Sequence, residues 1–333
     1  MKTDIDQRIT LAVPGGLAGQ IFAVGYGAWI SSQLGKSVHL QFHDVGTSIA
    51  KFSVAELCET PTAKHLDITF SQIRGGWPPV SSLSTLSGLR GNVSTKLSNS
   101  FISSFTRGAI RRAQNEFQKH VDGGNDNTLR FNFGVITKAK LQSAKLGSTI
   151  VGYPVEYQIV EDSWPLLAQM VRESGLPDFA SQTERDESIA IHWRLGDYVG
   201  NPTHGAVNWS SLVHCLQAIS PSKLPLKIFT DSPELAKNII GRSLPGREYS
   251  VISGEIWSDL SQMTRSQTFI GTNSGVSFLA ALAMSQGRET RRVWLPKQWF
   301  LDQDAERQFS PPARTYERSF FYPVGLVTHG VPN

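Results

Sequence analysis

Seven consecutive residues in the second half of the chain carry the side-chain types that handle an anionic group: His192-Trp193-Arg194-Leu195-Gly196-Asp197-Tyr198. They continue the apolar run Ser188-Ile189-Ala190-Ile191, which reads as a buried strand, and Gly196 then opens a turn. In an open α/β sheet, ligands bind beyond the carboxyl ends of the strands. An arginine at such a place offers a rigid planar fork of donors that matches phosphate oxygens. It would also stabilise the negative charge that builds on a departing diphosphate. The alternative is that Arg194 pairs with Asp197 only to hold the turn, and this segment alone does not separate the two.

Three further segments keep the same company. Phe229-Thr230-Asp231-Ser232 is a strand end followed by small polar residues, and Asp259-Leu260-Ser261-Gln262-Met263 follows it. Phe269-Ile270-Gly271-Thr272-Asn273-Ser274-Gly275-Val276-Ser277 is a strand that breaks into hydroxyl and amide residues and then opens a helix. Backbone N–H groups at a helix N-terminus favour phosphate, and hydroxyls add donors. Polar turns at successive strand ends of one sheet describe a nucleotide site. Its candidate residues are His192, Arg194, Asp197, Asp231, Asp259, Thr272, Asn273, Ser274 and Ser277.

The elements that must position these groups alternate in kind. Residues 8–13 read as a strand, the loop Pro14 to Gln20 follows, 21–34 is a helix and 38–42 a second strand. In the second half, strands at 188–194, 226–230, 268–271 and 292–295 alternate with helices at 209–219, 233–240, 258–266 and 275–284. Such alternation predicts parallel, doubly wound sheets. A helix is expected over 159–172 and a linker over 181–187. The expected organisation is two Rossmann-like domains facing a cleft: 1–180 on the acceptor side, 188–300 holding the nucleotide, and a tail, 301–333, packing back on the first. Residues 78–105, rich in Ser, Gly and Pro, read as a long loop.

Composition removes several classes of function. With 40% apolar and 18% charged residues the chain is globular, and a net charge of +4 is too weak to argue for nucleic acid. The basic cluster from Arg107 to Lys119 is either a solvated helix face or a surface for a membrane or charged acceptor. Cys58 and Cys215 read as buried free thiols in a reducing compartment, so the sequons at Asn92 and Asn208 carry no weight. No run approaches the ~20 apolar residues that span a bilayer. The glycines after Pro14 miss the dinucleotide spacing, and no Walker lysine follows them. The histidines show no zinc-like spacing, and Asp302-Gln303-Asp304 reads as a cap or exposed turn. No metal and no cofactor are expected.

The order and spacing of these motifs resemble the α-1,2-fucosyltransferase family of bacteria and animals. The family's Gly-Gly-Leu-Gly-Asn-Gln-hydrophobic-Phe signature corresponds to Gly15 to Phe22. Its His-Ile-Arg-Arg-Gly-Asp-Tyr signature corresponds to His192 to Tyr198, and its Asn-Ser-rich turn to Gly271 to Ser277. Smaller echoes are His204-Gly205, Phe229-Thr230-Asp231 and Leu295 to Phe300, so the likeness spans about residues 11 to 300. It implies a GT-B-like fold and a GDP-fucose donor, with inversion at the anomeric carbon and no metal. The acceptor would be an oligosaccharide or lipid-linked glycan in surface-polysaccharide assembly. With no anchor read from the sequence, it also implies a soluble cytoplasmic enzyme, peripheral membrane association being an option. Arg194 would bind the β-phosphate, and His192 and Asp259 the guanine or its ribose. Thr272, Asn273 and Ser274 would line the diphosphate, with Asp231 near the nucleoside. Gly16, Gln20 and His204 join the substrate-binding set.

Three positions depart from the pattern: Leu195 replaces a second arginine, Gly19 an asparagine, and Phe278-Leu279 a tryptophan pair. They leave open another GDP-sugar, or a member that binds without turnover. Inversion calls for a group that takes the acceptor proton. Asp44 is the first candidate, beside His43, Glu156, Glu161 and Asp197; the leaving diphosphate could also take that proton.

Overall fold

The computed structural model describes residues 7–14, 16–43, 54–73, 136–152, 154, 156–180, 185–201, 204–219, 224–241, 244, 247–286, 291–301, 303, 306, 315, 319–323 and 326–327. The chain forms two compact units, Met1–Leu167 and Ala168–Asn333. Asp44, Asp302, Asp304, the whole loop expected at 78–105 and the basic cluster 107–119 lie outside the described residues.

In the first unit the alternation of the sequence becomes β1 (Ile9–Pro14), α1 (Leu17–Leu34), β2 (Val38–His43), α2 (Ala55–Cys58), α3 (Pro61–His65), β3 (Ile68–Ile73), α4 (Lys138–Ser143), β4 (Thr149–Val151) and α5 (Tyr157–Asp162). The strands form a parallel sheet in the order β3-β2-β1-β4. Helix α1 is apolar on every side and buried from Gln20 to Ile30, as a helix enclosed by protein must be. A Cβ on Gly25 would sit 3.2 Å from Ser163 Oγ and 3.3 Å from Val160 Cγ1, so glycine sets how closely α1 approaches α5.

The helix expected over 159–172 is two helices. Helix α5 ends at Asp162, and α6 (Trp164–Glu173) begins beyond Ser163. Pro165 is the reason: without an N–H it fits only the first turn of a helix. The division between the units falls inside α6, ahead of the expected linker.

The second unit continues with β5 (Asp186–His192), β6 (Ala206–Val207), α7 (Trp209–Ile219), β7 (Leu226–Phe229), α8 (Pro233–Ile240), β8 (Tyr249–Ile252), α9 (Ile256–Arg265), β9 (Ser266–Gly271), α10 (Gly275–Ser285), β10 (Arg292–Pro296), β11 (Ser319–Tyr322) and β12 (Leu326–Val327). The six-stranded sheet has the order β11-β10-β9-β5-β7-β8, every neighbouring pair parallel. Renumbered within the unit, this is the Rossmann order 3-2-1-4-5-6 read from its far edge. On one face Ile189, Ile191, Leu226, Ile228 and Ile270 pack with Leu212, Cys215 and Leu216 of α7 and Ala236 and Ile240 of α8. The alternate residues Ala190 and Phe269 point the other way, where α9 and α10 lie against β5 and β9.

The tail was expected to pack back on the first domain. Its strand β11 extends the second sheet beside β10, and β12 pairs antiparallel with β6, so this stretch belongs to the second unit. Both thiols are free and buried, and burial pushes each up to about 12. Among the described residues no helix is long and apolar enough to cross a membrane.

Candidate functional site

Because every strand of the second sheet runs the same way, their carboxyl ends share one edge. Strand order reverses between β5 and β9, the first and fourth strands of the unit, which is where such folds bind ligands. His192 ends β5 and pairs with Gly271, the end of β9, on one side and with Phe229, the end of β7, on the other. Polar segments singled out in the sequence therefore meet at this edge: 192–198 at the end of β5, 230–232 after β7 and 272–277 after β9, while Asp259 lies in the first turn of α9, the helix that follows β8.

The strand after Ser188 stops at His192 rather than at Arg194. Arg194 can then leave the sheet plane, and its side chain is 35% exposed. The guanidinium is held on two sides. Its Nε donates to Asp197 Oδ1 at 2.9 Å and its Nη2 approaches the same oxygen at 2.8 Å. Its Nη1 lies 3.1 Å from Asp231 Oδ2. Burial opposes the charged form, but Asp197 and Asp231 outweigh it, and the pKa of Arg194 is raised. The Tyr198 ring lies beneath it, with the guanidinium carbon 5.8 Å from the centroid.

Asp231 is built into the turn. Its Oδ1 accepts from the backbone N–H groups of Leu195 and Gly196, each at 3.0 Å. A Cβ at position 196 would fall 2.3 Å from Asp231 Oδ2, so only glycine admits the carboxylate here.

Behind the arginine, His192 is 5% exposed and its Nδ1 lies 2.7 Å from Ser277 Oγ. Burial first, then the Arg194 charge, lowers its pKa to about 3, so the ring is neutral at physiological pH. Ser277 Oγ also accepts from Thr272 N–H at 3.0 Å, and Thr272 Oγ1 accepts from Arg194 N–H at 3.3 Å. Asn273 Nδ2 donates to the carbonyls of His204, Gly205 and Trp299, each at 3.0 Å. Thr272, Asn273 and Ser277 are all buried. Their bonds brace the turn that the resemblance would set against the diphosphate. Ser274 caps α10 by accepting from Val276 N–H. The first turn of α10 thus opens beside Arg194, a position that favours an anion.

Two flanking groups complete the edge. The His204 ring stacks on Tyr198, centroids 4.7 Å apart, and meets Phe300 at 5.0 Å. Phe300 is fixed by Glu306, whose Oε2 accepts from the N–H groups of Trp299 and Phe300. Glu306 was not singled out in the sequence, and nothing in its neighbourhood signals this tie. On the β8 side Asp259, 6% exposed, accepts from Gly254 N–H at 3.1 Å through Oδ2. Its Oδ1 is buried without a partner among the described residues, and burial raises its pKa.

The remaining candidates belong to the first unit. Gly16 is the exposed N-cap of α1, and Gln20 lies buried in its first turn. Glu156 Oε2 accepts from Lys138 N–H at 2.7 Å, a structural tie, and Glu161 is buried in α5. Among the described residues no three His, Cys, Asp or Glu side chains are grouped so as to hold a metal.

No family model matches the chain, and neither does any curated protein. Among solved structures, a glycosyl transferase family 9 protein from Veillonella parvula aligns over 95% of this chain and 86% of its own, with 9% identity and a TM-score of 0.46. The E. coli ADP-heptose lipopolysaccharide heptosyltransferase II aligns over 94% and 89%, with 10% identity and a TM-score of 0.40. At these scores the likenesses carry no argument about activity.

Proposed function

We propose that the chain is an inverting glycosyltransferase that moves a sugar from a GDP-sugar, fucose being the preferred sugar, to a glycan hydroxyl, forming an α-1,2 linkage. The observation that carries this reading is Arg194 at the switch point of a Rossmann-ordered sheet, beside the N-terminus of α10. A diphosphate there would meet a fixed guanidinium and the N–H groups of a helix start. Two Rossmann-like units in one chain accord with a donor unit and an acceptor unit, and the resemblance of 192–198 and 271–277 points to fucose.

Guanine is favoured by Asp259. A carboxylate only accepts hydrogen bonds, and its unpartnered oxygen suits the adjacent N1–H and N2–H donors of guanine. Adenine and uracil do not present that pair of donors.

In the reaction the acceptor oxygen attacks the anomeric carbon, a glycosidic C–O bond forms, and the bond to the β-phosphate oxygen breaks with its electron pair leaving on GDP. Arg194 stabilises that charge. The hydroxyl proton passes to a carboxylate such as Asp44 or to the departing phosphate. Other GDP-sugars and binding without turnover are the rival outcomes.

The deciding experiment is calorimetric titration of the full chain with GDP, ADP, UDP, GDP-fucose and GDP-mannose. Binding of GDP and GDP-fucose, with ADP and UDP silent, is expected. Preference for ADP or UDP would overturn the guanine assignment, and no nucleotide binding would overturn the donor site. Fucose transfer to an acceptor array then separates enzyme from binding protein.

A further inference from the structure

Arg194 faces two carboxylates that are held very differently. Asp231 is 26% exposed, anchored by two backbone N–H groups, and boxed in by the missing side chain of Gly196. Asp197 is 64% exposed, sits on the short turn Gly196–Tyr198, and has Arg194 as its sole ion partner among the described residues. One oxygen of Asp197 occupies both Nε and Nη2. Those two donors form an edge with which a guanidinium grips two oxygens of a phosphate. The third donor group, Nη1, stays with Asp231.

We propose that Asp197 is a displaceable counter-ion, a carboxylate that fills the phosphate-gripping edge of Arg194 and is expelled when a diphosphate arrives. Asp231 holds the guanidinium in plane throughout, and Asp197 sets how tightly the anion binds. With two carboxylates around one guanidinium, and with His192 neutral, these groups together carry net negative charge. A phosphate therefore competes with Asp197 for donors and is repelled by it as well. Leu195, uncharged and 1% exposed, offers no second cation to relieve this. Exposed ion pairs are weak, which makes the exchange feasible. The proposal rests on the phosphate reading of Arg194.

The test is titration of the full chain with inorganic pyrophosphate and with GDP, in wild type and in Asp197→Asn, Asp197→Ala, Arg194→Ala and Glu187→Gln. Glu187 is exposed near the opposite end of β5 and controls for net charge. Both Asp197 variants are expected to bind each anion about five- to tenfold more tightly, from lost competition plus lost repulsion, with Glu187→Gln unchanged. Equal or weaker binding by both Asp197 variants would overturn the proposal, because Asp197 would then support the grip rather than block it. Equal tightening in Glu187→Gln would overturn it too, leaving net charge as the cause. If Arg194→Ala binds like wild type, the phosphate reading itself fails, an outcome distinct from the other two.

Discussion

His192 Nδ1 lies 2.7 Å from Ser277 Oγ, joining the end of β5 to the first turn of α10 across the point where strand order reverses. This bond locks the two segments that flank Arg194, and it does so with an imidazole kept neutral by burial.

The neutral imidazole has a consequence for acid stability. A native pKa of about 3 lies below the ordinary histidine value of 6.5, so the native state binds fewer protons over that range. The stabilisation is fully present above pH 6.5 and is lost as pH falls toward 3. The expected slope is about 1.4 kcal/mol per pH unit inside that window. Urea unfolding at intervals from pH 7.5 to 4 reads it directly. His192→Asn should remove most of that slope, and an unchanged slope in the variant would show that other groups titrate instead.

A methyl group at position 196 tests how Asp231 is held. The clash displaces a carboxylate that two N–H groups and Arg194 fix, so Gly196→Ala should cost about 1–3 kcal/mol and weaken GDP binding. In an Asp231→Ala background the same substitution should cost almost nothing. The double-mutant cycle separates this coupling from any general effect of alanine in the turn. Additive losses would mean that the two residues do not interact.

The part of this site that the sequence made legible is the part built from short segments. Parallel strands leading into Arg194, Asp231 and Thr272 announce themselves, because buried strands are apolar runs and the turns after them are small and polar. What lay between segments was harder to read. Nothing in the sequence around Asp231 shows that it carries the turn of Leu195 and Gly196 and pins Arg194. Strand β8 was missed because Tyr249 and Ser250 at the sheet edge are exposed and break the apolar signal. Strand β11 is not legible because its pairing with β10 spans a long polar stretch, so residues 301–333 read as a tail packing back on the first domain. No pattern of residue types reveals that one oxygen of Asp259 lacks a partner.

That unpartnered oxygen predicts a trade between stability and function. A buried carboxylate with a raised pKa and an orphan oxygen destabilises the fold at neutral pH. Asp259→Asn keeps the bond from Gly254 N–H and removes the charge. The variant should melt about 2–4 °C higher, the scale of ~1 kcal/mol in a unit of this size, while GDP binding falls at least tenfold. A thermal shift series with and without GDP measures both. Lower stability together with unchanged GDP binding would make Asp259 a purely structural residue.

Arg194 itself can be tested for geometry as well as charge. In Arg194→Ala the departing diphosphate loses its fixed cation, and transfer should fall by about two to three orders of magnitude, as when one transition-state donor is removed. The fold should be little affected, since the side chain is partly exposed and adds nothing to the core. Arg194→Lys keeps the charge but offers a compact point donor that cannot bridge Asp231 and a phosphate together. Its transfer rate should recover less than tenfold over the alanine variant, although GDP affinity recovers more fully. Turnover of Arg194→Lys near wild type would show that charge alone suffices and that the planar fork, with the alignment Asp231 gives it, is dispensable.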